Sequence, residues 1–493
     1  MRDYSAAIKC LNSLQTNAAI LEAIRSTGNL INQLSMPEMK RYLERIGYNY
    51  KDLNKLNVIH VAGTKGKGST SSFCNSILNQ YSFKEGDRLI PIRTGLYSSP
   101  HILEVRERIR INGSPISKES FAKYFFNVWD RLEETVPPVI DIHNPDKPSY
   151  FRYLTLVAFH AFLQEKVDTV ILEVGVGGEY DATNVVESPV VCGITPLGMD
   201  HVASLGDTIE KIAWHKAGII KENSPVFTVN QPGDAIKIIQ ARATERKATK
   251  CQIITPEQLE KISSIKLGLS GEHQKINAAL AVALCEEWIK IQSSKGLQIV
   301  GEPDAIKKGL ESAFWPGRCQ RLVINRFPRC EWFLDGAHTP ESLLVCGAWF
   351  NTVSKLKSNA KNVLIFNCTH GRMGASLFPS LIKSFVNNVE FDKVIFTTND
   401  PWKNPAEHEN GDLVNNMIIP DTTYKNQHQL ADVWKSLCKE SSMNTGEIFV
   451  VGSTEEAIEV ASSNSTSSDT QILITGSLHL VGSCLAVLDP NVH

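Results

Sequence analysis

Val58-Ile59-His60-Val61, running into Gly63-Thr64-Lys65-Gly66-Lys67-Gly68-Ser69-Thr70, is the stretch on which the fold turns. The short apolar run, rich in β-branched residues, predicts a strand. The glycines that follow predict a turn whose backbone can close on a ligand. From there to about residue 80 the sequence is compatible with a helix. Strand, glycine loop and helix together suit a phosphate. Backbone N–H groups converge on oxygen, the helix N-terminus is positive, and Lys67 can bridge the outer phosphates. Two departures from GxxxxGK[ST] stand out: Val61 occupies the first glycine position, and Gly68 separates Lys67 from Ser69. A bare glycine turn would favour a loop without ligand. Strand context, three glycines, Lys67 and Ser69 together favour a nucleotide. Lys65 reads equally well as a solvated loop residue.

The same grammar recurs outward from this loop. Residues 167–174, 189–195 and 225–230 are apolar strand candidates separated by helical stretches. This predicts an α/β domain with a doubly wound, mainly parallel sheet. Residues 4–24 and 36–46 carry apolar side chains at helical spacing. Residues 82–89 and 137–149 read as inserted surface loops. Trp315-Pro316-Gly317-Arg318 breaks the pattern and predicts a boundary, giving domains 1–315 and 316–493. In the second, strands are expected at 332–334, 363–366, 394–397, 448–451 and 472–475. Helices over 340–356, 377–386 and 429–438 make it a smaller Rossmann-like domain. The polar run 462–469 reads as a loop.

Composition narrows the function classes. The 493 residues are 42% hydrophobic and 21% charged, as expected of a globular protein of two domains. With 51 Lys and Arg against 53 Asp and Glu, no basic excess points to nucleic acid. The 11 cysteines are irregularly spaced, without CxxC or structural-zinc spacing, which predicts a reducing compartment. No apolar run is long enough to span a bilayer. The first 30 residues lack a signal-peptide core and make a poor mitochondrial presequence. The location expected is cytoplasmic, with a mitochondrial share left open.

Four further features carry candidate chemistry. Glu173 interrupts the apolar run ILEVGVGG, where a carboxylate is costly unless paired or bound to metal. At the exit of a strand beside the loop it could serve Mg²⁺, and a structural salt bridge is almost as good a reading. His201 closes Gly198-Met199-Asp200-His201. Lys216 is followed directly by Ala217, Gly218 and Ile219, a setting that would depress its pKa. A neutral amine can add CO₂ to form a carbamate, although the sequence by itself does not carry that step. Arg106, Arg108 and Arg110 alternate, as on one strand face, with a solvated edge strand slightly the better reading.

VAGTKGKGST (61–70), YSSPH (97–101), ILEVGVGGEYDATN (171–184), GMDH (198–201), IAWHKAGI (212–219), WPGR (315–318) and DGAH (335–338) occur in this order. Together they resemble the folylpolyglutamate synthases, within the ATP-dependent amide-bond ligases that include the bacterial Mur enzymes. The resemblance runs from about His60 to Gly482. Trp214 and the two insertions look like the eukaryotic branch.

That resemblance implies a ligase adding L-glutamate to the γ-carboxylate of a reduced folate through an acyl phosphate. It implies ATP binding by Thr64, Lys65, Gly66, Lys67, Gly68 and Ser69, with Asn277, Arg318 and Asp335 completing the site. It implies Mg²⁺, two ions, at Ser99, Glu173 and His201, and allows a monovalent cation. Lys216 matches a position carbamoylated in relatives. His338 would face glutamate or the acyl phosphate, acting with Lys67 and Lys216, and Ser477 and His479 would line the glutamate site. Thr339 stands where Asn is more usual, and Lys65 where bacterial relatives often have Asn. The expected partners are ATP, folate and glutamate, and the expected state is a monomer. Dihydrofolate synthase, which adds glutamate to dihydropteroate, would use the same machinery. A P-loop NTPase is the more distant alternative, and it would need no Lys216 segment.

Overall fold

The computed structural model describes residues 2–15, 29–136, 146–355, 360–368, 374–386, 389–404, 411–413, 423–463 and 469–489. Residues 16–24 of the first expected helix, and most of the expected loops at 137–149 and 462–469, lie outside these. The chain divides into two units. The main division falls between Phe314 and Trp315. Two short segments, Ile102–Glu104 and Leu269–His273, group with the second unit although they precede the break, so neither unit is one contiguous stretch.

The first unit holds β1 (Ile59–Ala62), β2 (Tyr81–Glu85), β3 (Arg88–Pro91), β4 (Thr94–Tyr97), β5 (Ile109–Ile111), β6 (Ser114–Pro115), β7 (Thr169–Glu173), β8 (Val191–Ile194), β9 (Val226–Thr228), β10 (Cys251–Ile253) and β11 (Ile299–Gly301). Eight of them form one sheet in the order β10-β9-β8-β1-β7-β4-β5-β6. It is parallel from β10 to β4 and antiparallel beyond. β1 lies between β7 and β8, with every residue of all three strands buried. Such strands need apolar side chains on both faces, which is why they read as continuous hydrophobic runs. The register sets Val61 beside Glu173, so the glycine loop and the acidic strand end leave the sheet together. An aromatic-rich core containing Phe121, Phe125, Tyr153 and Phe159 covers one side. Ala62, Val174, Ile194, Ala213 and Ala217 belong to another.

Two sequence expectations are corrected. Residues 82–89 are not a loop: β2 and β3 pair antiparallel around Gly86-Asp87, and β11 joins them in a three-stranded sheet. β2 and β3 have no buried residue, and a two-residue turn with glycine at φ +61° closes the hairpin. The three arginines do not share a strand face. Arg106 and Arg108 sit on the 3₁₀ turn Val105–Arg108, and Arg110 lies on β5, an interior strand of the sheet. Arg108 and Arg110 are buried. Arg110 donates to the carbonyls of Glu107 and Gly113, and Arg108 Nε donates to His101 Nδ1 at 2.9 Å.

The second unit holds β12 (Gln320–Val323), β13 (Cys330–Asp335), β14 (Lys361–Phe366), β15 (Lys393–Thr397), β16 (Glu447–Val451) and β17 (Thr470–Thr475), in the order β12-β13-β17-β14-β15-β16. Only β12 runs antiparallel to its neighbour. Phe350, on the helix Pro340–Ser354, is fully buried and meets the rings of Phe333, Phe385 and Phe391. Phe350→Ala should therefore destabilise this unit by about 3–5 kcal/mol. Denaturant unfolding followed by tryptophan fluorescence would measure it, since Trp349 and Trp434 belong to the same core.

Candidate active site

The glycine loop is shaped by what its backbone touches. Gly63 has φ +147°, and a Cβ there would collide with Thr195 Oγ1. Thr64 N and Lys65 N both donate to Pro196 O, at 3.1 and 3.0 Å. Thr64 Oγ1 donates to Gly198 O, and Lys65 Nζ lies 3.4 Å from Asp200 Oδ2. The loop is thus tied to the segment after β8 that carries His201. Gly66, at φ +81°, precedes the helix Lys67–Leu78, and no side chain caps that helix. A Cβ on Gly66 would collide with Asn277 Oδ1, which is buried without a hydrogen-bond partner. Asn277 Nδ2 donates to Gln274 Oε1 (2.9 Å), and Gln274 Nε2 donates to Ser69 Oγ (3.3 Å). An uncapped helix N-terminus, a glycine wall and Lys67 in the first turn suit a polyphosphate.

Lys216 lies under this loop. Its helix, Ile209–Ala217, docks through buried Ile212, Ala213 and Ala217, which carries Lys216 inside with them. Lys216 is 3% exposed, and its amine donates to Gly63 O at 2.7 Å. Burial, and then the charge of Lys67, hold its pKa well below the ordinary 10.5. Glu173 is buried at the end of β7, and its Oε2 accepts from Ser99 N at 3.2 Å. Ser99 and Glu173 are therefore brought together. His201 is exposed, and its backbone N donates to Asp200 Oδ1. Among the described residues no cluster of three or more His, Cys, Asp and Glu forms a metal cage. The Ser99 hydroxyl and the Glu173 carboxylate are the hard oxygen donors that Mg²⁺ prefers, and a His nitrogen suits it less well.

The remaining expected residues lie in the second unit. Asp335 ends β13, and both of its oxygens are used: Oδ2 accepts from Cys319 N (2.8 Å) and Oδ1 from Ala337 N (2.9 Å). It thereby links the turn after Arg318 to the turn before His338. His338 Nδ1 lies 2.7 Å from Gly336 O. A carbonyl only accepts, so Nδ1 carries the proton and Nε2 is the acceptor of the neutral ring. Ser477 caps the helix Leu478–Leu488 by accepting from His479 N at 3.1 Å, and His479 is exposed. Sequence reasoning missed His273. Burial lowers its pKa, Asp335 raises it and Arg318 lowers it, so it shares the surroundings of both. Its place in GEHQKINAAL, four residues before Asn277, was the available signal.

Comparison with known proteins fixes the family. A folylpolyglutamate synthase of Saccharomyces cerevisiae is 43% identical over 99% of this chain and 87% of its own length. The chain belongs to the folylpolyglutamate synthase family. Its members are ATP-dependent ligases that join glutamate to folate, and this chain is such a ligase. A family model described as the C-terminal domain of dihydrofolate synthetase matches residues 322–455. The fold is that of a Mycobacterium tuberculosis folylpolyglutamate synthase complexed with ADP, with TM-score 0.69 at 23% identity, covering 99% of each chain. A Thermotoga maritima folylpolyglutamate synthase aligns with TM-score 0.64 at 26% identity, over 93% of this chain and 94% of that one.

Two outcomes test this geometry. Gly66→Ala must strain a left-handed position and displace Asn277, so ATP affinity by calorimetry should fall at least about tenfold. The buried amine gives the second. Between its lowered folded pKa and 10.5, the unfolded chain holds more protons at Lys216 than the folded chain. This site therefore makes stability rise with pH across that window. Lys216→Met should show a smaller stability gain than wild type between about pH 8 and about pH 10, by denaturant titration in CO₂-free buffer.

Proposed function

We propose that this ligase lengthens reduced folates by successive γ-linked L-glutamates, through a folyl acyl phosphate. One observation carries the reading. The glycine-walled, uncapped N-terminus of Lys67–Leu78 lies in the same loop whose Gly63 carbonyl is held by the buried Lys216. The ATP γ-phosphoryl group passes to the folate γ-carboxylate. Lys67 and the helix N-terminus neutralise the charge that gathers on the phosphoryl oxygens. The α-amine of glutamate then attacks the activated carbonyl, the C–N bond forms, and phosphate leaves.

The other residues take supporting parts in this proposal. Ser99 and Glu173, with His201, would hold Mg²⁺. When bound, that ion supplies charge neutralisation at the phosphates. Lys216, buried with a depressed pKa, is suited to carbamate formation, which would add an anionic oxygen donor. Asn277, through its unpaired oxygen, and Thr64 to Ser69 surround the nucleotide. Arg318 is aimed by the turn that Asp335 holds. His338, with Nε2 as its acceptor atom, is suited to receive the amine proton, and Ser477 and His479 line the glutamate subsite.

Monomeric action in the cytosol, with a mitochondrial share, belongs to the same proposal. All 11 cysteines are free thiols, in keeping with a reducing compartment. Among the described residues no helix is long and apolar enough to cross a membrane.

ATP-dependent incorporation of labelled L-glutamate tests the reading, with tetrahydrofolate and dihydropteroate offered in parallel. Wild type should add glutamate successively to tetrahydrofolate, and Lys67→Ala should lower kcat/KM at least about a hundredfold. Transfer to dihydropteroate alone would reassign the chain as a dihydrofolate synthase. ATP hydrolysis without incorporation on either acceptor would overturn the proposal.

A further inference from the structure

Lys216 is held by one hydrogen bond from its amine, and its backbone is held by something else. Glu179 N donates to His215 O at 2.7 Å. Asn184 Nδ2 donates to both Glu179 O (2.9 Å) and Gly218 O (3.1 Å), binding residues 179 and 218 to one amide. The loop from Gly175 to Asp181 therefore grips the chain on both sides of Lys216. Asp181 ties that loop to Val176 and Thr183, Ser35 Oγ donates to Tyr180 O, and the Glu179 side chain ties it to a separate helix. The Glu179 carboxylate accepts from Arg242 Nη2 through one oxygen and from Arg246 Nη2, at 2.6 Å, through the other. Both arginines lie at the end of the helix Ala235–Glu245 or directly after it. Arg242 is 4% exposed, bonds Glu245 through Nη1, and stacks 4.6 Å from the ring centroid of Trp214, two residues before Lys216.

We propose that Glu179, Arg242 and Arg246 are positioning residues for the ligase reaction: their ion-pair cluster fixes where the Lys216 amine meets the glycine loop. The proposal rests on the reading of Lys216 given above. The physical ground is that a partly buried carboxylate shared by two guanidinium groups, one of them buried, is fixed in direction, which a single exposed pair would not be. A displacement of Lys216 of the order of an ångström would be felt at the loop it holds and hence in the rate. The cluster touches none of the residues named for ATP, so binding need not change with it.

Glu179→Gln keeps the shape and removes the charge, and Arg246→Met removes the more exposed of the two arginines. For both we expect kcat to fall about tenfold or more, with KM for ATP changed less than about twofold. Amide hydrogen exchange across residues 213–219 should quicken, and the unfolding midpoint should stay near that of wild type. Arg242→Lys, which keeps charge but loses the fork, should lower kcat by about as much, and Glu179→Asp should recover part of the rate. Unchanged kcat and unchanged exchange in Glu179→Gln and Arg246→Met would overturn the proposal. So would a loss of kcat that only follows a lowered unfolding midpoint. Lys216→Met separates the two levels of the argument. If it turns over normally, the reading of Lys216 fails. If it is inactive while Glu179→Gln is normal, only the positioning role fails.

Discussion

The turn from β1 into the helix Lys67–Leu78 leaves no room for a side chain at Gly63 or Gly66, and much of the first unit is arranged to hold that turn. Gly63 is pressed against Thr195 at the end of β8, so β1 and β8 must run side by side in register. Gly66 is pressed against Asn277, so the long helix His273–Ser294 must lie across the loop. The loop is held by Pro196, Gly198 and Asp200 and, through the Gly63 carbonyl, by Lys216. Its shape is therefore imposed from outside. Such imposed shape is what allows backbone N–H groups to point at a ligand instead of at one another.

The same constraint explains how the fold tolerates a buried lysine. Desolvating an ammonium costs several kcal/mol, and lowering the pKa is the usual escape. Here the amine keeps one strong acceptor, Gly63 O, and its pKa is depressed. A hydrocarbon at this position would avoid the cost. It could not bond the glycine loop or react with an electrophile. His60 shows what burial does to a titratable group elsewhere in the first unit. It is wholly buried in β1, burial pushes its pKa down to about 3, and its Nε2 lies 3.0 Å from Thr183 Oγ1. That histidine stays neutral and structural.

Much of this arrangement is legible in the sequence, for a physical reason. β1, β7 and β8 are buried on both faces, so their apolar runs are obligatory, and strand, glycine loop and helix follow one another without interruption. What the sequence hides is mostly long-range. Glu179 meets Arg242 and Arg246 across 63 and 67 positions, and no local pattern records such a pair. Asp335 presents itself as a ligand-facing acid, and only the structure shows both oxygens engaged by backbone N–H groups. Polar composition at residues 82–89 stands for an exposed hairpin as readily as for a loop, because strands with no buried residue need no apolar periodicity to betray them. Alternating arginines read as a strand face, whereas a 3₁₀ turn occupies the first half of that segment.

Two positions that the resemblance marks as departures from the family's pattern, Thr339 and Lys65, show how the local geometry is held. Thr339 is the N-cap of the helix Pro340–Ser354. Its hydroxyl accepts from Ser342 N while Ser342 Oγ accepts from Thr339 N. Thr is a competent cap, so the helix start is held. Ser342 Oγ also accepts from His338 N at 3.1 Å, so the cap and the histidine backbone are set by one hydroxyl. Lys65 brings a cation to the glycine loop, and its charge is answered by Asp200 at 3.4 Å. Local charge is thereby balanced, and the glycine loop gains a tie to the segment bearing His201. In both places a side-chain contact constrains backbone direction, and it is the backbone of each turn that aims the reactive groups.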